Sequence, residues 1–293
     1  MNADAYFEIG AAHTVCEDYA IAGSYEDLTY AILCDGCSSS QDTDVGARIL
    51  AQVSQGVLKY LHNRKLLYNI EFLTEKFKEV FNELVLNKCM EVRQTLRLPQ
   101  SAFDATLLVS FGVGKNIRVI TMRGDGFALI KYKGGSTTVF STEFASNAPF
   151  YLSYEMSIER KQAYEAEYGD ALVYVREQSL EKEYLSDDIN TINDACTPWI
   201  ADRYWVFTPS IFDSDEDSDI SQIILSSDGI DTYEQGYGAD RKQFKALEIL
   251  PICIDYKNPV GEFVQRRMKR VKKENTVGDI IHQDDISFAV INF

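Results

Sequence analysis

The feature that most constrains this chain is an apolar run that stops on Asp-Gly, and stops that way more than once. Tyr30-Ala31-Ile32-Leu33-Cys34 leads into Asp35-Gly36, and a small polar loop, Cys37-Ser38-Ser39-Ser40, carries on towards Gly46. The β-branched and aromatic content of Thr29–Leu33 predicts a strand buried on both faces. Gly36 permits a turn that a Cβ would hinder and leaves its own carbonyl open. An acidic side chain at the end of a buried strand, beside a free backbone oxygen, suits a hard divalent cation. The design recurs where Ile223-Ile224-Leu225-Ser226-Ser227 ends at Asp228-Gly229, and again where Val119-Ile120-Thr121-Met122-Arg123 ends at Gly124-Asp125-Gly126. Cys16-Glu17-Asp18-Tyr19 and His282-Gln283-Asp284-Asp285 set acidic pairs beside the first and last strands. Carboxylate-bearing corners spread in this way predict a cage for two or three Mg²⁺ or Mn²⁺ ions.

The order Glu17-Asp18, Asp35-Gly36, Ala105-Thr106-Leu107-Leu108, Gly124-Asp125, Ser227-Asp228-Gly229 and Asp284-Asp285-Ile286-Ser287 resembles the metal-dependent Ser/Thr phosphatases of the protein phosphatase 2C type. The likeness is greatest to their bacterial single-domain members, and it runs from about Phe7 to Val290. It implies an α+β fold, a four-layer α-β-β-α sandwich of two antiparallel sheets flanked by antiparallel helices. The pattern of strands agrees, because no regular βαβ alternation demands a parallel sheet. The implied activity is Mn²⁺- or Mg²⁺-dependent hydrolysis of phospho-Ser and phospho-Thr in phosphoproteins, through a metal-bridging hydroxide, in opposition to a Ser/Thr kinase. Asp35 would bridge two ions, with the Gly36 carbonyl as a further ligand. Asp228 and Asp284 would hold one ion, Glu17 or Asp18 the other, and Asp125 a third, weaker one.

Two departures accompany the likeness. His13 stands where the family has a phosphate-binding Arg, so His13 and Asp18 are the candidate catalytic residues, and an imidazolium is a weaker phosphate ligand than a guanidinium fork. Cys37-Ser38-Ser39 replaces the His- or Met-Gly-Gly that follows Asp-Gly in the family, which leaves no obvious general acid there; His282 is a further candidate. The alternatives are a non-catalytic phosphatase-like module that binds a regulatory partner, and a phosphatase of a small phosphorylated metabolite.

Composition narrows the classes. Lys plus Arg number 29 against 45 Asp plus Glu, a net charge of −16, which argues against a nucleic-acid groove. The first residues lack the basic and apolar regions of a signal peptide, and no apolar run reaches the ~20 residues needed to span a bilayer, so a cytoplasmic protein without membrane contact is expected. Six scattered cysteines suit reduced core thiols. Cys34 and Cys37 form a C-x-x-C, but Cys34 ends a strand instead of opening a helix, and no second pair completes a zinc site. The site motifs occupy both ends of the chain, so residues 1–293 read as one domain.

Along the chain, strands are expected at Tyr6–Gly10, Tyr19–Ser24 and Leu28–Leu33, and helices at Thr43–Leu61 and Ile70–Leu96. Phe103–Gly112, Asn116–Met122, Gly126–Lys131 and Thr137–Ser141 read as a four-strand meander. The resemblance implies that residues 142–200 form an enlarged flap near the metal site; the pattern within it suggests a strand at Ala171–Val175 and a loop over Glu177–Asp194. Trp205–Pro209 reads as a strand. The acidic run Asp213–Asp219 fails as a calcium loop because Ser218 and Ile224 stand where Gly and Glu are needed. A helix with a basic face is expected over Val260–Lys273, and a closing strand over Ile286–Ile291.

Overall fold

The computed structural model describes residues 1–114, 116–144, 148–169, 173–180, 199–201, 205–207, 220–236, 241–277 and 279–293. Numbered in chain order, seven strands form one antiparallel sheet: β1 (Asn2–Glu8), β15 (Ile286–Asn292), β11 (Ile220–Ser226), β6 (Gly126–Tyr132), β7 (Thr137–Phe144), β8 (Val173–Leu180) and β9 (Trp199–Ala201), in that spatial order. A five-stranded antiparallel sheet runs β10 (Trp205–Phe207), β5 (Ile117–Arg123), β4 (Leu107–Val113), β3 (Leu28–Cys34) and β2 (Tyr19–Tyr25). A small third sheet joins β13 (Lys242–Gln243), β12 (Tyr233–Gln235) and β14 (Ile280–His282).

The two large sheets face each other. Ala31, Leu33, Leu108, Ile120 and Met122 of one interleave with Ala128, Ile130, Ile223, Leu225 and Ala289 of the other. Each strand alternates, so the opposite side chains cover the outer faces. On the five-stranded sheet these meet α1 (Thr43–Asn63) and α2 (Phe77–Leu96), with Phe77 stacked on Phe81 at 5.2 Å and packed against Phe111 at 5.2 Å. On the seven-stranded sheet they meet α4 (Ala246–Cys253) and α5 (Phe263–Val277). This is the four-layer α-β-β-α sandwich expected. The strand β3, apolar at nearly every position, is buried throughout because it has a helix layer on one side and a sheet on the other.

Four expectations need correction. The meander is two hairpins: β4 and β5 pair in one sheet and β6 and β7 in the other, and Gly124-Asp125 carries the chain across the sandwich. Doubly buried strands have no polar face to report which neighbour they pair with, so the pattern could not tell a hairpin from a crossing. The second helix becomes regular only at Phe77. Residues 72–76 coil as a wider π turn, which lets Phe72, Leu73 and Phe77 all face the core, and Asn69 Oδ1 accepts from Phe72 N at 3.0 Å at its start. The last helix begins at Phe263, where Asp4 Oδ2 of β1 accepts from Val264 N (2.7 Å) and Gln265 N (3.2 Å) and supplies the cap. Residues 177–180, expected in a loop, complete β8. The acidic run Asp213–Asp219 and residues 181–194 lie outside the described residues.

Candidate metal centre

The recurrence of Asp-Gly has a packing cause. A Cβ at Gly36 would stand 2.9 Å from Thr43 Cβ and 3.0 Å from the Glu17 carbonyl oxygen, and one at Gly229 only 1.8 Å from the Asp285 carbonyl oxygen. Each glycine therefore lets a strand end approach another acidic segment more closely than any side chain allows. The backbone of Asp35 is held from the other side by Thr106, whose Oγ1 accepts from Asp35 N (3.0 Å) and whose N donates to Asp35 O (2.8 Å). Ser227 Oγ accepts from Ser287 N (2.9 Å) and Ser227 N donates to Ser287 O (3.2 Å), which ties the ends of β11 and β15 together.

Five aspartates consequently gather at one edge of the sandwich as electrostatic neighbours, although no three of them bring their oxygens within 4.8 Å of one another. Asp35 is central. Burial first, then Asp18, Asp228 and Asp125, hold its carboxyl well above the usual range. Burial likewise pushes Asp18 up to about 7, with Asp285 adding to the shift. Burial and the charge of Asp228, then Asp284, push Asp125 up to about 7. Asp228 is raised by burial and by Asp284 and Asp231. Asp18 is the deepest, and no hydrogen bond in good geometry reaches either of its oxygens, although Ser287, Ser227 and Asp35 come near enough to temper its shift. A buried carboxylate with no donor is a costly group unless a cation meets it. The donors are all oxygen and all hard, which fits Mg²⁺ or Mn²⁺.

The remaining candidates flank this cluster. Glu17 accepts a hydrogen bond from Thr43 Oγ1 at 2.6 Å, so its carboxylate is anchored to the first residue of α1. His13 lies between two carboxylates, Nε2 at 3.2 Å from Asp284 Oδ1 and Nδ1 at 3.2 Å from Asp285 Oδ1. Burial lowers its pKa, but Asp285, Asp284 and Glu17 together outweigh that and leave it raised, which favours the imidazolium. His282 donates from Nδ1 to the Asp284 carbonyl (2.8 Å) and packs on Tyr233, a structural engagement.

Three residues have roles that the motifs did not signal. Asp285 is buried and accepts from Gly10 N (2.7 Å) and Glu17 N (2.6 Å), fastening both ends of the loop that carries His13, Glu17 and Asp18. Asp104 is buried, and Arg160 Nη2 reaches both of its oxygens (2.9 and 2.8 Å), with a further bond from Ser40 Oγ (2.9 Å) and another from Ser153. It thereby ties residues 148–169, which include α3 (Ile158–Tyr168), to the loop after β3. That docking seats Tyr151 beside Asp125, Cys37 and Asp35, where burial and those neighbours raise its hydroxyl far above its usual pKa. The aromatic run Phe150-Tyr151-Leu152 was visible in the sequence, but nothing local says which surface it covers. Among the described residues the cysteines, Cys34 and Cys37 included, are free thiols.

A sequence model of the protein phosphatase 2C family matches residues 10–277. A search of curated proteins finds no significant match. Among solved structures, a bacterial serine phosphatase bearing an arginine-to-alanine mutation aligns over 100% of this chain and 98% of its own at 11% identity, with a TM-score of 0.50. A C. elegans sex determining protein aligns over 98% of this chain and 64% of its own at 13% identity, also with a TM-score of 0.50. The serine/threonine phosphatase Stp1 from Staphylococcus aureus covers 100% of this chain and 95% of its own at 11% identity, with a TM-score of 0.47. For the two alignments at 0.50, the likeness at these identities shows the fold alone.

Proposed function

The chain belongs to the protein phosphatase 2C family, and from that premise we propose that it is a Mn²⁺- or Mg²⁺-dependent phosphatase of phospho-Ser and phospho-Thr in phosphoproteins, acting in the cytoplasm against a Ser/Thr kinase. The observation that carries this reading is the convergence of Asp18, Asp35, Asp125, Asp228 and Asp284 at one edge of the sandwich, where burial and neighbouring carboxylates raise Asp35, Asp125 and Asp228 and the buried Asp18 has no hydrogen bond in good geometry. Mn²⁺ or Mg²⁺, bound as a pair with Asp125 available to a third ion, would supply the Lewis acidity that brings water into range as a nucleophile and the charge that meets the phosphoryl oxygens.

The chain's own groups divide the remaining work. Asp35, with the Gly36 carbonyl, would bridge the two ions. Asp228 and Asp284 would serve one ion and Asp18, supported by Glu17, the other. His13, whose imidazolium form Asp284 and Asp285 favour, would add positive charge towards the phosphate. Residues 1–293 are read as one catalytic domain. Within the flap assigned to 142–200, the part 148–169 docks on Asp104 and shapes access for the substrate. Arg160→Ala, which removes the Nη2 bonds to Asp104, is expected to lower kcat/KM for phosphopeptides several-fold more than for p-nitrophenyl phosphate. Equal losses on both substrates would count against the flap.

One observation favours a second reading, a non-catalytic binding module: both ring nitrogens of His13 face carboxylates, which competes with phosphate for them. Hydrolysis of p-nitrophenyl phosphate and of a phosphothreonine peptide, after chelation and after Mn²⁺ is restored, separates the two. Turnover that returns with Mn²⁺ and is lost in Asp228→Ala supports the enzyme. No turnover with any divalent cation supports the module, and turnover restricted to small esters overturns the protein-substrate assignment.

A further inference from the structure

We propose that Glu26, Asp27 and His62 form a second divalent-metal site, for a transition ion such as Zn²⁺, at the end of the sandwich away from the Asp35 cluster. Among the described residues these three are the one group of His, Cys, Asp or Glu side chains whose ligating atoms all lie within 4.8 Å of one another. Glu26 and Asp27 are the turn between β2 and β3, and His62 lies in the last turn of α1.

His62 is the informative member. Its side chain is 0% exposed and sits between the rings of Tyr25 and Tyr68, at 5.8 and 5.5 Å. Its Nε2 is engaged, 2.8 Å from Asp27 Oδ1 and 2.9 Å from the Tyr68 hydroxyl, which itself donates to Asp27 Oδ1 at 2.6 Å. Its Nδ1 is buried and has no hydrogen-bond partner. That nitrogen faces Glu26 Oε2 at 3.9 Å, too far for a hydrogen bond. Two ligands about 2.1 Å from one tetrahedral ion stand roughly 3–4 Å apart, so the spacing is that of a shared ion. A buried imidazole nitrogen without a partner is otherwise an uncompensated desolvation.

The rest of the environment fits. A metal-bound imidazole commonly has its other nitrogen fixed by a carboxylate, and Asp27 already makes that contact. The Nδ1 nitrogen and the Glu26 carboxylate would be the ligands, with water completing the shell and Asp27 orienting the ring, and a nitrogen donor selects a borderline ion over Mg²⁺, which prefers oxygen alone. Binding needs neutral His62, and two negative charges are met by one dication. The eight residue steps from Asp27 to Asp35 run the length of β3, about 26 Å at ~3.3 Å per step, so this site and the aspartate cluster share no ligand. An ion here would pin the β2–β3 turn to the end of the helix whose first residue, Thr43, holds Glu17.

The test is calorimetric titration of the metal-stripped full chain with Zn²⁺ alone, with melting temperature followed in parallel. The variants are Glu26→Gln, whose side chain is 58% exposed and whose loss leaves the fold intact, and Asp228→Ala, which disables the other cluster. Asp228→Ala is expected to keep a Zn²⁺ site that raises the melting temperature, and Glu26→Gln to bind there at least tenfold more weakly and lose that rise. Absence of Zn²⁺ binding in Asp228→Ala overturns the proposal. So does unchanged affinity in Glu26→Gln, the result expected if the free thiols of Cys16 and Cys37 were the ligands.

Discussion

Replacing Asp35 with asparagine is expected to abolish turnover and, in the absence of metal, to make the protein more stable. The two effects have one origin. Asp35 stands against Asp18, Asp228 and Asp125, and its carboxyl is held well above the usual range by burial first and by those charges next. A group whose folded pKa exceeds its unfolded value contributes stability that is complete below the unfolded value and is lost as pH rises through the folded one. With unfolded aspartates near 4 and Asp18 and Asp125 pushed up to about 7, the metal-free protein should weaken as pH climbs from about 4 to about 7, the reverse of an ordinary salt-bridged aspartate. A tenfold difference in proton affinity between the folded and unfolded chain corresponds to ~1.4 kcal/mol, so the loss across that window should be several kcal/mol. Asparagine keeps the shape and removes one charge. At pH 8 with chelator the variant should melt several degrees above wild type, at ~2–4 °C per kcal/mol, and at pH 5 the gap should shrink. Saturating Mn²⁺ should then raise the melting point of wild type and barely move the variant, while kcat/KM falls by roughly 10³-fold. A variant that melts below wild type at pH 8 without metal would mean that the aspartates do not repel one another as described.

How much of this was legible follows from the kind of signal each feature leaves. The strand ends at Asp35, Asp125 and Asp228 could be read because a buried apolar run that stops on an acid beside glycine is a local pattern. The layer order came from the family resemblance, and the apolar stripes of α1 and α2 agreed with it. Pairing did not follow. The run from β4 to β7 looks like one meander because strands buried on both faces carry no mark of which sheet they enter, and the crossing at Gly124-Asp125 is visible only once both sheets are in place. The anchors were hidden for a different reason. Asp104, Asp285 and Asp4 act on backbone amides and side chains far along the chain, from Gly10 to Val264, and a single carboxylate gives no hint of a partner so remote. The Nδ1 of His62 is a still quieter case, because a lone histidine on a helix reads as surface until its burial is seen.

Asp285→Ala is expected to be the most destabilising change at the site, although its neighbour Asp284 is the one that faces the aspartate cluster. The two differ in exposure, 45% for the Asp284 side chain and 2% for Asp285. Asp285 accepts from Gly10 N at 2.7 Å and Glu17 N at 2.6 Å and faces His13 Nδ1 at 3.2 Å. Alanine would leave two amides without an acceptor and His13 with one carboxylate instead of two. Hydrogen bonds to a charged acceptor are worth about 1.5–3 kcal/mol each, and unmet donors cost a similar amount, so a loss of roughly 3–5 kcal/mol and a fall in melting temperature of about 10 °C are expected. The loop from Gly10 to Asp18 would lose its tether, and since it presents Glu17 and Asp18, Mn²⁺ should bind about 10–100-fold more weakly. Asp284→Ala should show the opposite balance, with turnover lost and the melting temperature of the metal-free protein nearly unchanged, because its exposed carboxylate supports less of the fold. Asp285→Asn, which keeps one oxygen for one of the two amides, should fall between. Calorimetric melting and a Mn²⁺ activation curve on the three variants decide the matter. An Asp285→Ala protein that melts within a degree of wild type, or that takes Mn²⁺ equally well, would remove Asp285 from its positioning role.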